Sequence, residues 1–345
     1  MPLLSFAETP RLCADLAGTG GAPVDAEDFC VEELPAYAPS GSGDHVFVWL
    51  EKRELTTWRA IELISAALGT DPAQAGYAGL KDRHAVTRQW LSFSGVEPAA
   101  LAALQLPGLM VLQAERHGHK LRTGHLRGNR FTIVLRGVVD EAEARAQAVL
   151  ARLVRLGLPN YYGPQRFGVA GDNAELAREA LQQGRRPARD KRRGRLLISA
   201  LQSQLFNEVL AARLQQGLLH RVLDGDVLQR WGGRATFTSS DAATDQARLD
   251  AGELVTTGPI CGPRLVRGPL GSAARGWEDG VLAQHGVEPE DFALWGRLAR
   301  GGRRALTVAL GEPSCAAVDP HALRLSFTLP AGSYATVLLR EVVQG

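Results

Sequence analysis

The chain has 345 residues, 45% of them apolar and 22% charged, with a formal net charge of +2. Those figures exclude a fibrous or disordered chain and predict a globular protein of more than one core, while so small a net charge names no partner. No apolar run reaches the roughly 20 residues that span a bilayer, and Met1-Pro2-Leu3-Leu4-Ser5-Phe6 lacks the basic and long apolar regions of a secretion signal. A cytoplasmic protein without membrane association is therefore expected.

In chain order, the first forty residues read as irregular, rich in Gly and Pro. His45 to Leu50 alternates as a strand does. The spacing predicts a helix from Thr57 to about Leu68, with Thr56 as cap and Gly69 beyond its end. After a loop around Asp82, strands are predicted at Trp90–Phe93, Leu109–Glu115 and Phe131–Leu135. Asp140 to Leu156 has the periodicity of an amphipathic helix. Composition shifts at Gly157-Leu158-Pro159-Asn160. Helices are expected over about 174–183 and 199–215, the second capped by Ser199. Residues 217–275 promise short strands at most. Glu288–Arg300 reads as helix, Arg303–Leu310 and Leu323–Leu329 as strands, and Val337-Leu338-Leu339 as part of a closing helix. Strand-rich ends thus flank a more helical middle, either as one domain inserted in another or as two in series.

The four cysteines, Cys13, Cys30, Cys261 and Cys315, are widely spaced, which gives neither a metal-ligand pattern nor a disulfide framework. His117 and His119 form a His-x-His pair with His125 nearby. They sit among Lys120, Arg122, Arg127 and Arg130, whose charge opposes a divalent ion, so no metal is expected.

The segment Ala78-Gly79-Leu80-Lys81-Asp82-Arg83-His84-Ala85-Val86-Thr87-Arg88-Gln89 carries the most information. Its carboxylate, Asp82, stands between two cations, which keep a neighbouring acid ionised. The donors around it suit a polyanion, yet an aspartate there repels phosphate. That conflict gives Asp82 a chemical task, against the alternative of a turn carboxylate in a surface ion pair worth roughly 0–1 kcal/mol. With a turn at Gly79, one cation among Lys81, Arg83 and Arg88 is expected within ion-pair distance of Asp82. Basic residues also crowd 116–130 and 185–195. Lys120, Arg122, Arg185, Arg186, Lys191, Arg192 and Arg193 are the candidate contacts to an RNA backbone, each neutralised phosphate adding salt dependence. Pro187 and Gly194 predict that the second segment is a loop.

The Asp82 loop resembles the active-site loop of the TruD-type tRNA pseudouridine synthases. Glu27-Asp28-Phe29-Cys30-Val31-Glu32-Glu33 resembles that family's N-terminal motif, and Gly128-Asn129-Arg130-Phe131 its Gly-Asn-x-Phe motif. Asn160 to Gly168 is similar to the signature opening the family's inserted domain. Ser199–Asn207 and Leu329–Thr336 match two more, all in order along nearly the whole chain. The resemblance implies an α+β fold. Residues 1–158 and 306–345 would form a discontinuous pseudouridine-synthase-like catalytic domain around a central mixed or antiparallel sheet. Residues 159–305 would form an inserted α+β domain closing an RNA-binding cleft. It implies isomerisation of uridine to pseudouridine in the D arm of tRNA, at position 13, with tRNA as partner, no obligate protein partner and no cofactor. Asp82 takes the place of the catalytic aspartate, and Phe29, Asn129, Phe131 and Tyr334 those of uridine contacts, with Lys81 and Arg83 beside them. One departure stands out: Pro23 occupies the position where the family usually carries a lysine able to reach the catalytic carboxylate.

The chemistry fits these residue types. The C1′–N1 bond breaks and a C1′–C5 bond forms, with no net oxidation and no water consumed. An ionised aspartate either attacks C1′ or removes the C2′ proton. Aromatic faces let the freed base turn, stacking being worth about 1–3 kcal/mol, and an amide donates and accepts at the uracil edge. A catalytically silent RNA-binding protein or chaperone would keep the same cationic segments. A glycoside hydrolase would need a second carboxylate about 5–10 Å away, where this loop offers cations.

Overall fold

A computed structural model describes residues 1–344. It divides into two compact units. The sheet unit comprises Leu16–Ala151, Leu310–Gly332 and the residues from Val342. The helical unit comprises Met1–Asp15, Arg152–Ala309 and Ser333–Glu341. The chain changes unit at 151/152 and 309/310, and Met1–Asp15 and Ser333–Glu341 group with the middle segment.

The sheet unit is built on β1 (Gly20–Ala22), β2 (Phe29–Pro35), β3 (His45–Arg53), β4 (Gly76–Tyr77), β5 (Val86–Ser94), β6 (Leu109–His117) and β7 (Leu126–Val138). The hairpin Gly311–Asp319 and Ala322–Pro330 completes a nine-stranded sheet among the described residues. The order runs from Gly311–Asp319 through Ala322–Pro330, β7, β2, β5 and β3 to β6, with β1 on β7 and β4 on β5. β2 and β5 run parallel; their other pairings, with β7 and β3, are antiparallel. The fold is therefore α+β with a mixed sheet. Alternation in β3 sends Val46, Val48 and Leu50 into a core with Ile61, Ile64, Leu91 and Phe93. Ile61 and Ile64 lie on the helix Thr57–Leu68, whose ends form as its sequence predicts. The Thr56 hydroxyl accepts the Arg59 amide at 3.1 Å, and Gly69 takes the left-handed conformation at φ 67°.

β2 corrects the reading of the first forty residues as irregular. It lies in the interior of the sheet, between β7 and β5. Its two glutamates hid it, because one of them, Glu33, is a buried charge on the inward side.

In the helical unit a 25-residue helix, Lys191–Gln215, sets Leu197, Ile198, Leu201, Leu205 and Val209 against Val281, Leu282 and Phe292. Its start corrects two expectations. Asp190 caps it, accepting the Arg193 amide at 2.7 Å, and Ser199 lies inside, its carbonyl taken by the Ser203 hydroxyl at 2.8 Å. The basic segment is thus loop to Asp190 and helix beyond it. Residues 217–275 hold more than short strands: helix Ala242–Asp250 and the start of helix Ala273–Ala283 fall there. The expected helix Glu288–Arg300 is a 3-10 stretch, Pro289–Leu298, broken at Gly296 (φ 51°, ψ −122°). The single strand expected over 303–310 is two, Gly302–Ala305 and Thr307–Val308, on different partners.

Candidate functional site

The loop between β4 and β5 is fastened through its first half, at Ala78, Gly79, Lys81 and Asp82. The Gly124 amide donates to the Ala78 carbonyl at 2.8 Å. Gln89 donates to the Gly79 carbonyl at 3.3 Å. The Lys81 amide donates to the Thr57 hydroxyl at 3.0 Å, and that hydroxyl donates to Gln89 at 2.9 Å. The Lys52 ammonium donates to the Asp82 carbonyl at 2.8 Å and to that of Leu55 at 2.5 Å. Asp82, Arg83 and His84 are left exposed while Lys81 and Ala85 are buried. Among the described residues the Asp82 carboxylate has no ion pair within 4.0 Å and accepts no hydrogen bond. A preorganised backbone therefore presents an uncommitted carboxylate.

The expected cation is not the one present. Lys81 turns inward to Glu33 at 2.7 Å, with both side chains buried. Arg88 pairs with Glu51 at 3.0 Å and Glu32 at 3.5 Å. Arg83 makes no ion pair among the described residues. The reason is competition from other carboxylates: Glu33 draws Lys81 inward, and Glu51 and Glu32 hold Arg88. The charge near Asp82 comes instead from Lys52, fully buried at 0% exposure. Burial pushes its ammonium down to about 8, against the attraction of Asp82. A signal for it was in the sequence. Val46, Val48 and Leu50 fix the inward side of β3, and Lys52 continues that side; the chain has only three other lysines, Lys81, Lys120 and Lys191.

Three expected uridine contacts share the sheet unit. Glu33 of β2 lies opposite Asn129 of β7, Val31 opposite Phe131, and Phe29 opposite Ile133. Phe29 meets Phe131 edge-on at 6.4 Å between ring centres. Phe131 also stacks on Phe327 at 5.2 Å and is largely buried, so it serves the core as well. The Asn129 side-chain oxygen is inaccessible to solvent and accepts no hydrogen bond from the protein. An orphaned buried acceptor costs about 1–3 kcal/mol, which a ligand donor would recover. Burial raises the Glu33 carboxyl, and Lys81 opposes that rise. Tyr334 belongs to the helical unit, where it meets Tyr162 edge-on at 6.0 Å.

Of the expected backbone contacts, Arg122, Arg185, Arg186, Lys191, Arg192 and Arg193 are exposed and Lys120 partly so. None forms an ion pair among the described residues, although Arg185 donates to Gln183 at 2.6 Å. His117 packs on Tyr37 and Phe47, with ring centres 5.4 and 4.3 Å away, and its Nε2 lies 3.2 Å from that of His119.

A family model described as tRNA pseudouridine synthase D (TruD) matches residues 8–188 and 188–342. A tRNA pseudouridine synthase D of Anaeromyxobacter sp. (strain Fw109-5) is 43% identical over 98% of this chain and 96% of its own. One from Thermus thermophilus is 43% identical over 97% of this chain and 92% of its own. A crystal structure of a Methanosarcina mazei protein, provisionally assigned as tRNA pseudouridine synthase D, superposes with a TM-score of 0.79 at 22% identity. It covers 97% of this chain and 96% of its own length. At that identity the likeness speaks for the fold alone.

Proposed function

The chain belongs to the TruD family of tRNA pseudouridine synthases, and from that premise we propose that Asp82 is the catalytic carboxylate of a tRNA pseudouridine(13) synthase acting in the D arm. The enzyme is an isomerase that converts uridine to pseudouridine in tRNA. The observation that carries the role of Asp82 is its loop: the backbone from Ala78 to Asp82 is pinned, yet the carboxylate is exposed and unengaged. A group meant for structure would be spent on a partner, and one meant for chemistry is held ready in position.

In the proposed reaction the Asp82 carboxylate either bonds to C1′ as N1 departs or takes the C2′ proton. The freed uracil turns until C5 faces C1′; the C1′–C5 bond forms as the Asp82–C1′ bond breaks or, on the second route, as the proton returns to C2′, and C5 then loses its proton while N1 ends protonated. Lys52 holds the loop by its carbonyl and supplies positive charge near the carboxylate, the task that a lysine at the position of Pro23 serves in the resemblance. Asn129 would offer its oxygen to a uracil N–H once a side-chain movement uncovers it, and Phe29 would flank the base. The role of Tyr334 rests on the resemblance alone. In a stem the target must first leave the stack, at a few kcal/mol. Phosphate contacts from Lys120, Arg122 and the segment 185–193 would offset that cost. Among the described residues no helix is long and apolar enough to cross a membrane, and we place the enzyme with its tRNA in the cytoplasm.

The test is site-resolved mapping of pseudouridine after incubation with uridine-containing tRNA. Wild type should modify position 13, and Asp82→Asn should abolish turnover while tRNA affinity stays within a few-fold, since affinity comes from many phosphate contacts. Turnover by Asp82→Asn at the wild-type rate would remove Asp82 from the chemistry. Tight binding without pseudouridine in either protein would favour an RNA-binding protein without activity.

A further inference from the structure

Three arginines of the helical unit surround one cleft and answer to no acid. The cleft, of about 380 Å³, is lined by Pro263, Arg264, Gly296, Arg297 and Arg300. Arg264, Arg297 and Arg300 are exposed, and among the described residues none forms an ion pair or a side-chain hydrogen bond. Arginines close by in the chain behave differently. Arg267 is engaged by Asp279 and Glu290, and Arg303 meets Glu278 at 2.9 Å. The acids beside the cleft are also spent. Glu288 and Asp291 cap the turn that begins at Pro289, and Glu290 holds Arg267.

The backbone brings these like charges together. The Arg264 amide donates to the Arg300 carbonyl at 2.8 Å. That clasp needs glycine on both sides. A Cβ at Gly262 would lie 2.0 Å from the Ala299 carbonyl oxygen, and one at Gly301 (φ 75°) would lie 2.8 Å from the Gly262 Cα. The break at Gly296 then turns Arg297 to the same cleft. Three guanidiniums on one opening repel one another, and no protein group relieves it. Such an arrangement is stabilised by an anion, and guanidinium forks match phosphate oxygens two at a time. The neighbouring cations point to a polymer. The Trp295 indole N–H donates to the Arg185 carbonyl at 3.1 Å, which ties this turn to the start of the basic segment 185–195.

We infer that the Arg264–Arg297–Arg300 cleft is a phosphate-backbone site for the substrate tRNA, separate from the cations assigned to RNA above. The inference rests on the proposed function only in taking tRNA as the polyanion. Each phosphate held there releases counterions, so the cleft should show itself in the salt dependence of binding.

The experiment measures the affinity of full-length tRNA from low to moderate salt for the whole protein. It uses wild type, the triple variant Arg264→Ser, Arg297→Ser, Arg300→Ser, and the triple Lys variant at the same positions. The Ser variant should lose roughly 2–3 units of the log–log salt slope, at about 0.7–0.9 for each phosphate no longer held. The Lys variant should recover the slope. A Ser variant with the wild-type slope would overturn the inference, as would a Lys variant as flat as the Ser one, which would mark a packing role. Should the triple Ser variant fail to fold, Arg297→Ser alone, beyond the clasp, must lower the slope by roughly 0.7–0.9, and an unchanged slope again overturns it. Inorganic phosphate added at fixed ionic strength should compete only weakly; full displacement of the slope term by millimolar phosphate would make the cleft a small-anion site and overturn the assignment to tRNA. Binding is read without turnover, so absence of pseudouridine in wild type would count against the proposed reaction and not against this cleft.

Discussion

At the scale of single residues, Lys52 is the side chain on which the proposed role of Asp82 turns. It is an ammonium with 0% exposure that burial pushes down to about 8. It therefore loses its charge as pH rises through 8, and the positive charge beside Asp82 goes with it. Single-turnover rates should fall above pH 8. Stability should move the other way. The unfolded lysine keeps its proton up to its ordinary pKa of about 10.4, so between 8 and that value the unfolded state binds more protons and folding gains with pH. Activity that falls while thermal stability holds or rises would be the signature of Lys52, and parallel losses of both would refute it. Lys52→Met removes the charge at similar volume. It should cost about 100-fold in rate, the scale of a misplaced reacting group, and some stability too, because the Asp82 and Leu55 carbonyls lose their donor, at about 1–3 kcal/mol for each that stays buried. Wild-type rates in this variant would return the search for the cation to Arg83. At this scale the sequence singled out Asp82 as the candidate but not Lys52 as the cation near it. Closeness along the chain pointed to Lys81, Arg83 and Arg88, whereas Lys81 is taken by Glu33 and Arg88 by Glu51 and Glu32.

At the scale of elements, the helix Lys191–Gln215 opens with Lys191, Arg192 and Arg193 and has no acid in its first turn. The partial positive charge of a helix N-terminus makes cations unfavourable there. Placing three of them works against the helix and strengthens the field seen by a phosphate. Replacing all three with Ser should leave thermal stability equal or slightly raised, while the log–log salt slope of tRNA binding falls by roughly 0.7–0.9 for each phosphate set free. A slope equal to that of wild type would mean that this turn meets only solvent. The elements themselves were legible where one force dominated. Apolar alternation marked β3, and Thr56 and Gly69 marked both ends of the first long helix. They were illegible where forces competed. β2 carries a buried glutamate whose partner is 48 residues away. The long helix begins at Asp190 because a cap overrides the basic run that reads as loop. The 3-10 stretch Pro289–Leu298 kept helical spacing until Gly296 broke it. The Arg264–Arg297–Arg300 cleft escaped notice because its residues are scattered singly along the chain and a glycine clasp brings them together.

At the scale of the molecule, the helical unit draws on both ends of the chain, and one carboxylate joins them. Glu341 accepts the amides of Leu12 and Cys13 at 2.9 Å each, across more than three hundred residues. Only 2% of it is exposed, and burial raises its carboxyl above the ordinary range while the two amides oppose that rise. The same burial, with the Glu341 charge added, pushes the Cys13 thiol up to about 12, which leaves it an inert thiol. Glu341→Ala would strand two buried N–H groups, at about 1–3 kcal/mol each, so the variant should lose about 2–5 kcal/mol in urea unfolding. The pH dependence has a definite sign. A carboxyl raised in the folded state takes up its proton there first, so stability from this group grows as pH falls through its folded pKa and is lost as pH rises through it. The gap between wild type and Glu341→Ala should therefore widen as pH falls from neutral toward the ordinary carboxylate range. Comparing the two cancels opposing carboxylates such as Asp28, which its Arg136 partner holds low in both proteins. A gap that narrows on acidification would show that the ionised form is the one the fold prefers, with the two amides outweighing burial.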